Sequence, residues 1–357
     1  MKKRISLLLA ALLAVGTLVT ACGGSGSNTE TEGAKSEVKV GVGVHTDFSY
    51  GSYSYGEGQY NKEEGNGQAD ITMAAVALDA DGKIVSIKLD AVQVKGTFDA
   101  NGKITADLNK ETATKRDLGL DYGMKATSAK IGAIKDGGEW YEQADAYEEW
   151  CIGKTVAEVE KAMGADQYPT DADLLAGCTI KINGLQAAVV DACKNATWTG
   201  ASADDTLGLG IVAGLGSHTA DATADKEGKA EAYVTFVATA KDSDGKVTCA
   251  VIDCIQANST FNAEGKITTD MTSNPESKYY LKDAYGMKDT SNKIGVIEGG
   301  GEWFEQAEHL QSYVIGKSAS DIAAIALKDG YPTDKDVTAG CTMAIDDIIK
   351  ALTESLK

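Results

Sequence analysis

Two heptapeptides that end in threonine are the stretches of this sequence best suited to chemistry. They run Asp173-Leu-Leu-Ala-Gly-Cys-Thr179 and Asp336-Val-Thr-Ala-Gly-Cys-Thr342, and each precedes an apolar segment with helical periodicity. The first N–H groups of a helix are unpaired and lie at the positive end of its dipole, which favours a phosphate there. The hydroxyl groups of Thr179 and Thr342 are therefore predicted to hydrogen-bond a phosphate or to carry it as a phosphoester.

The glycine two residues before each threonine supports the same interpretation. Gly177 and Gly340 have no side chain, so the backbone can approach a ligand closely. The residues alone also allow a purely structural interpretation, in which threonine caps the following helix and the small residues pack against a sheet. Both interpretations remain open at this point.

The heptapeptides belong to a duplication that covers most of the chain. Thr179 and Thr342 are 163 residues apart, and the same offset relates Trp140 to Trp303 and Phe98 to Phe261. A chain of 357 residues has room for two ordinary domains. We predict two copies of one domain, at residues 37–196 and 207–357, joined by a linker at residues 197–206.

Each copy is predicted to be α+β, with an antiparallel β-meander followed by three helices packed on it. Apolar runs at Ile71–Leu78 and Ile84–Val94 flank the turn Asp79-Ala-Asp-Gly-Lys83, which is typical of a hairpin. Helical spacing begins near Glu139, at the capping box Thr155-x-x-Glu158 and at Asn183. The second copy repeats these signals, including the capping box Ser318-x-x-Asp321, and the first copy has a longer Tyr/Gly-rich surface loop at 48–68.

The N-terminal segment has the features of a lipoprotein signal peptide. Lys2, Lys3 and Arg4 precede an apolar run from Ile5 to Val19, which ends in Leu18-Val-Thr-Ala-Cys22. We predict a signal peptide at 1–21, acylation of Cys22 and a flexible tether at 22–36. The acyl chains would anchor the protein in membrane lipid at the extracytoplasmic face. The alternative is an ordinary signal peptide in which Cys22 has no such role.

Charge and cysteine content exclude several classes of function. A net charge of −19 disfavours nucleic acid, whose phosphates would be repelled. Three histidines and the absence of Cys-x-x-Cys argue against a structural zinc site. Cys249 and Cys254 fall on one predicted strand, on opposite faces and about 16 Å apart at roughly 3.3 Å per residue, which is too far for a disulfide.

Asp-x-x-Ala-Gly-Cys-Thr followed by an apolar helix resembles the FMN-binding domain of sodium-pumping quinone reductases and Rnf complexes. The same domain occurs in tandem lipoproteins of Gram-positive extracellular electron transfer. The family motif is Asp-x-x-Ser/Thr-Gly-Ala-Thr, and a flavin transferase joins FMN to its final threonine through the phosphate. The resemblance implies that Asp173, Gly177 and Thr179, with Asp336, Gly340 and Thr342, form two FMN sites.

Both copies depart from the family motif in the same way. Ala176 and Ala339 replace its Ser or Thr, and Cys178 and Cys341 replace its Ala. Covalent attachment, binding without attachment and loss of flavin all remain open. The candidate cofactor-binding residues are completed by Cys178, Cys341, Lys125 and Lys288. The two lysines are either point charges for a phosphate or solvated loop residues. Trp140 and Trp303 are predicted to be core residues rather than flavin-stacking residues.

The resulting expectation is a membrane-anchored flavoprotein that carries electrons and is not itself an enzyme. The resemblance implies a flavin transferase and a membrane quinone-linked electron donor as partners. The alternative is a non-redox surface lipoprotein that uses the same fold to bind a ligand or a partner, which the Tyr/Gly-rich loop favours.

Overall fold

Residues 36–357 are described here from a computed structural model. They lie within one compact unit. The predicted signal peptide, Cys22 and all of the predicted tether except its last residue lie outside the described residues. We refer to residues 37–196 as the first half and to residues 207–357 as the second half.

The strands form two antiparallel sheets with the predicted hairpin turns. The first half contributes β1 (Glu37–Asp47), β2 (Gly65–Leu78) and β3 (Ile84–Phe98). In the turn between β2 and β3, the Asp79 carboxylate accepts hydrogen bonds from the N–H groups of Asp81 and Lys83, both at 2.9 Å. Gly82 adopts a φ of 73°, which glycine tolerates without a steric cost. These contacts explain why the hairpin forms where the sequence predicts it.

The helices of the first half follow its strands. They are α1 (Lys115–Leu118), α2 (Lys125–Ile131), α3 (Trp140–Cys151), α4 (Val156–Val159), α5 (Ala172–Leu175) and α6 (Asn183–Lys194). The predicted capping box between Thr155 and Glu158 is present at the start of α4. At the start of α2, the N–H groups of Met124 and Lys125 are held by the Glu139 carboxylate.

The segment predicted as a linker contains β4 (Trp198–Ser202), which pairs with β1 and completes the sheet order β3-β2-β1-β4. The second half then repeats the element order of the first. Its strands are β5 (Thr206–Leu215), β6 (Gly228–Lys241) and β7 (Val247–Phe261). Its helices and a small hairpin are α7 (Lys278–Leu281), α8 (Lys288–Ile294), α9 (Trp303–Val314), α10 (Ala319–Ala323), β8 (Leu327–Lys328), β9 (Tyr331–Pro332), α11 (Lys335–Thr338) and α12 (Asp346–Ser355).

The prediction of an α+β fold with antiparallel sheets is confirmed. Within residues 36–357, however, each half has six α-helices instead of the predicted three, because short helices also form in the connections between the longer ones. The two large sheets share a core. One face of β2 presents Ile71 and Met73 to apolar residues from β5, β6 and β7. The opposite face presents Ala74 and Val76 to α3 and α6. Each sheet therefore has one face on the other half and one face on its own helices, so the strands are buried on both sides. The proposed domain boundaries stay a prediction.

Cys249 and Cys254 illustrate this two-sided burial. Both are unpaired and buried. Cys249 lies in the core between the sheets, whereas Cys254 lies in the core between β7 and the helices. The predicted placement on opposite faces of one strand is confirmed.

Candidate functional site

Thr179 lies at the base of a cavity and is held by a buried glutamine. Its N–H and its hydroxyl both donate to Gln143 Oε1, at 2.9 Å and 3.1 Å. Helix α6 begins four residues later and has Ile182 as its N-cap. The interpretation that Thr179 caps this helix is therefore wrong, because its hydroxyl is directed to α3. Thr342 makes the same two bonds to Gln306 Oε1, at 2.8 Å and 3.3 Å.

Gln143 can serve Thr179 because α3 is anchored at its start. Glu139, the N-cap residue, forms a capping box with Glu142. Gln143 Nε2 donates to the carbonyl oxygen of Gly138 at 2.9 Å, and Gln143 is fully buried. The glutamine side chain is thus fixed at both ends, and Thr179 is fixed through it.

The other residues of the heptapeptides have structural surroundings. Cys178 is fully buried among the helices, and burial raises the pKa of its thiol to about 12. A thiol with this pKa is not a thiolate at neutral pH and is a poor nucleophile. A Cβ on Gly177 would lie 2.6 Å from Ala146 Cβ, so the glycine permits close packing on α3. Asp173 is exposed in the first turn of α5, whose N-cap is Asp171.

The second heptapeptide has the same arrangement. Cys341 is fully buried, and burial raises its pKa to about 12. Gly340 packs against the His309 ring, and Asp336 is exposed in the first turn of α11. Of the predicted heptapeptide residues, Thr179 lines the cavity of the first half described below, and those of the second half do not line the equivalent cavity.

The predicted phosphate lysines lie on the outer faces of their helices. Lys125 forms an ion pair with Glu142, with its Nζ 3.4 Å from Oε2, and Lys288 pairs with Glu305 at 3.8 Å. Neither lysine lines either of the two cavities described below. Their role in cofactor binding stays a prediction.

The first cavity has a volume of about 490 Å³ and opens between the ends of β1 and β2 and the helices of the first half. This volume is within the range of small-molecule sites, about 300–1,000 Å³. Thr179 contributes to the cavity together with the rings of Trp140 and Tyr122. Trp140 is also a core residue, as predicted, and is only 4% exposed. The cavity therefore combines aromatic surface with the threonine that the sequence singled out.

Two lysines bring positive charge to the first cavity. They are Lys115, at the start of α1, and Lys181, two residues after Thr179. The Lys115 ammonium lies 5.2 Å from the ring centroids of both Tyr122 and Trp140. Burial lowers the pKa of Lys115, and the carboxylates of Asp70 and Asp90 act in the opposite direction. A bound anion would stabilise the charged form of this partly desolvated group.

Asp70 lies in the same cavity but is engaged elsewhere. Its two carboxylate oxygens accept hydrogen bonds from Gln68 Nε2 at 2.5 Å and Gln93 Nε2 at 2.9 Å. Burial raises the pKa of Asp70. Among residues 36–357, the Lys115 ammonium forms no ion pair with this or any other carboxylate. Lys115 is thus a cation without a close anionic partner.

A second cavity of about 450 Å³ lies at the equivalent place in the second half. Trp303 and Thr235 line it, as Trp140 and Thr72 line the first cavity. Thr342 and Lys278, the equivalents of Thr179 and Lys115, do not. The two cavities therefore share a position in the fold but not their polar residues.

Sequence reasoning missed the residues that distinguish this site. Gln143 and Lys115 recur as Gln306 and Lys278 at the common offset, which was a usable signal. Lys181 has Ala344 as its counterpart, so the duplication did not highlight it. Its place beside Thr179 in a cavity became clear only from the structure.

Comparisons with known proteins give limited information. No family model and no solved structure matches the chain. A chlorophenol reductase from Desulfitobacterium hafniense is 33% identical over 110 residues, which cover 28% of this chain. The chain matches 32% of the length of that relative.

Within residues 36–357, no helix has the length and apolar character needed to cross a bilayer. The same residues contain no group of histidine, cysteine and carboxylate side chains arranged to hold a metal ion.

Proposed function

We propose that this chain is a duplicated flavin-binding protein that carries electrons at the extracytoplasmic face of a membrane. FMN would be held in the first cavity, and acylated Cys22 would provide the anchor. Its partners would be a membrane quinone-linked donor and, where attachment is covalent, a flavin transferase. The similarity to a chlorophenol reductase supports a redox-related role. The protein would act as an electron carrier rather than as an enzyme with its own substrate.

The observation that carries this proposal is the unpaired Lys115 ammonium in a cavity that also contains Thr179. Lys115 and Lys181 would hold the phosphate of FMN as point charges. The cavity also contains the N-terminal residues Asn183 and Gly184 of α6, a helix of 12 residues, whose free N–H groups favour an anion. The residues present therefore fit a ligand that has a phosphate.

The other side of the cavity suits an aromatic ring system. Trp140, Tyr122, Met124 and Ile131 supply apolar and aromatic surface. Such residues stack on planar rings and exclude water from them. Bound flavin would supply the capacity to accept and release electrons, while the protein supplies binding and positioning.

The test uses the full chain, co-expressed with a flavin transferase and solubilised in detergent. We expect either a flavin absorption band or a rise in thermal midpoint when FMN is added. At an FMN concentration a hundredfold above Kd, binding should stabilise the folded chain by about 2.7 kcal/mol. Intact mass after denaturation distinguishes covalent from non-covalent flavin. Thr179→Ala should abolish covalent attachment at the first cavity. A colourless protein whose midpoint does not respond to FMN would contradict the proposal.

A non-redox binding role is the second candidate, and one surface feature favours it. The loop from residue 48 to 64 exposes Tyr50 by 66% and Tyr60 by 94%. Exposed tyrosines are frequent in protein-binding surfaces. This candidate gains support if the chain binds no flavin in the test above and Tyr60→Ser, a change outside the first cavity, weakens binding of the chain to the cell surface.

A further inference from the structure

The equivalent cavities of the two halves differ in the charges that face them. The first cavity has the lysines Lys115 and Lys181 and the carboxylates Asp47 and Asp70. The second has one lysine, Lys110, and three carboxylates, Glu111, Asp346 and Asp347. The charges at the first cavity balance, whereas the second is acidic and would repel a phosphate.

The repeated lysine lies near equivalent tyrosine and tryptophan rings in both halves, but it has one additional partner in the second half. Lys278, the counterpart of Lys115, donates from Nζ to the hydroxyl oxygen of Tyr233 at 2.9 Å. Its ammonium also lies 4.3 Å from the Tyr233 ring centroid and 5.0 Å from that of Tyr285. Tyr233 occupies the position of Asp70 in the duplication. In the second half, Tyr233 therefore accepts a hydrogen bond from the lysine ammonium. Among the described residues of the first half, the ammonium of Lys115 has no such acceptor and is available to a ligand.

The helix starts at the two cavities also differ. Asn183 and Gly184 open α6, and no side chain caps its N-terminus. Asp346 and Asp347 open α12 at the same positions. Carboxylates in the first turn are favourable partners of the helix dipole. At α12, Asp346 and Asp347 therefore place negative charge at the position that corresponds to the proposed phosphate site at α6.

The second cavity is further closed by a segment of the first half. Leu108, Asn109, Lys110 and Glu111 line it. The N–H of Thr112 donates to the carbonyl oxygen of Ala213 in β5 at 2.8 Å. Glu111 also forms an ion pair with Lys350 of α12. This segment is thus fastened to both the strand and the helix that border the second cavity.

We infer that only the first cavity binds FMN, so that each chain carries one flavin although both heptapeptides end in threonine. The inference rests on the proposed function and specifies it. The selecting residues are Lys115 and Lys181 in the first half, and Tyr233, Asp346 and Asp347 in the second. Thr342 keeps its bonds to Gln306 but does not line the second cavity.

The first measurement is the stoichiometry of FMN on the detergent-solubilised full chain, by titration calorimetry and by absorbance per chain. We expect one FMN per chain, with riboflavin binding at least about tenfold more weakly because it lacks the phosphate that the lysines hold. Two FMN per chain would overturn this inference while leaving the proposed function intact. No bound FMN would contradict the proposed function itself.

The second measurement exchanges the charges of one cavity for those of the other. Lys181→Ala/Asn183→Asp introduces into the first cavity the residues that the second half has at these two positions, Ala344 and Asp346. We expect FMN binding to weaken at least about tenfold. Riboflavin, which has no phosphate, should bind with a Kd changed by less than about twofold. A folding defect would instead weaken the binding of both ligands. The matched control Ala344→Lys/Asp346→Asn alters only the second cavity and should leave the Kd of FMN at the first cavity unchanged. Loss of binding in the control, with binding retained in the first-half variant, would overturn the assignment.

Discussion

The first half leaves Lys115 unpaired beside Thr179, whereas the second half bonds Lys278 to Tyr233 and places two aspartates at the start of α12. The motif Ala-Gly-Cys-Thr and its bond to a buried glutamine are the same in both. The motif therefore fixes the backbone and the threonine, while residues outside the motif decide what can bind.

The largest expected effect concerns the contact that joins the halves. The rings of Phe98 and Phe261 stack with centroids 4.0 Å apart, and both are fully buried. Truncating a buried phenylalanine typically destabilises a protein by about 3–5 kcal/mol. We expect Phe98→Ala and Phe261→Ala each to lower the free energy of unfolding by this amount, in chemical denaturation followed by tryptophan fluorescence.

The same experiment tests whether the halves unfold together. Because the stack and the core between the sheets belong to both halves, a single transition at a lower denaturant midpoint is expected for either variant. Tyr60→Ala, at a residue 94% exposed, is the control and should leave the midpoint unchanged. Two separate transitions, with only one displaced by Phe98→Ala, would contradict the coupling of the halves.

The glutamines that hold the threonines should be equally important for stability but not for binding. Gln143→Ala and Gln306→Ala each leave a threonine N–H without its acceptor, at a cost of about 1–3 kcal/mol. Thr179 is buried and Thr342 is half-buried. Thermal unfolding should therefore show similar losses for both. FMN affinity should fall only for Gln143→Ala, because only that glutamine lines a cavity. An equal fall for Gln306→Ala would show that both cavities are used.

Two equivalent buried aspartates predict an unusual dependence of stability on pH. Burial raises the pKa of Asp253 from 3.8 to about 7, and that of Asp90 from 3.8 to about 6. The folded state thus binds each proton more tightly than the unfolded chain does. The stability that each contributes is complete below pH 3.8 and is lost as pH rises to about 7 for Asp253 or about 6 for Asp90.

The change in slope should distinguish the halves. One proton corresponds to about 1.4 kcal/mol per pH unit, which is the largest slope either aspartate can contribute. We expect Asp253→Asn to make the stability of the chain less dependent on pH between 4 and 7, and Asp90→Asn to do so over a narrower range. Urea unfolding at several pH values measures this. Variants with the slope of the wild type would contradict the raised pKa values.

Much of the fold could be predicted because its signals are local. The Asp79 turn, the capping box at Thr155 and the opposite faces of Cys249 and Cys254 follow from spacing within a few residues. The shared core could not be predicted in this way. Residues on both faces of β2 are apolar, but this pattern does not show that another sheet, from a distant part of the chain, covers one of them.

The candidate site was predictable only at its threonine. Thr179 was identified by its motif, and the structure places it in a cavity. The difference between the cavities depends on Tyr233, which bonds a lysine 45 residues later in the chain. No periodicity or motif marks such a contact, because it arises from the pairing of strands and helices. The exposed positions of Lys125 and Lys288 also depend on contacts that are distant in sequence. The N–H groups of these lysines donate to the carboxylates of Glu139 and Glu302, which fix the start of each helix.

The smallest expected effect concerns these two exposed lysines. Lys125→Ala and Lys288→Ala remove half-exposed ion pairs, which are worth about 0–1 kcal/mol. We therefore expect both variants to retain nearly the thermal midpoint of the wild type. Both should also bind FMN with a Kd within about twofold of it, because neither lysine lines a cavity. Lys115→Ala provides the contrast, since it removes the unpaired ammonium from the first cavity. A tenfold loss of FMN affinity in Lys125→Ala alone would mean that α2 rearranges to bring Lys125 to the phosphate when the ligand binds. The asymmetry between the halves would then arise from movement of that helix as well as from the charges described above.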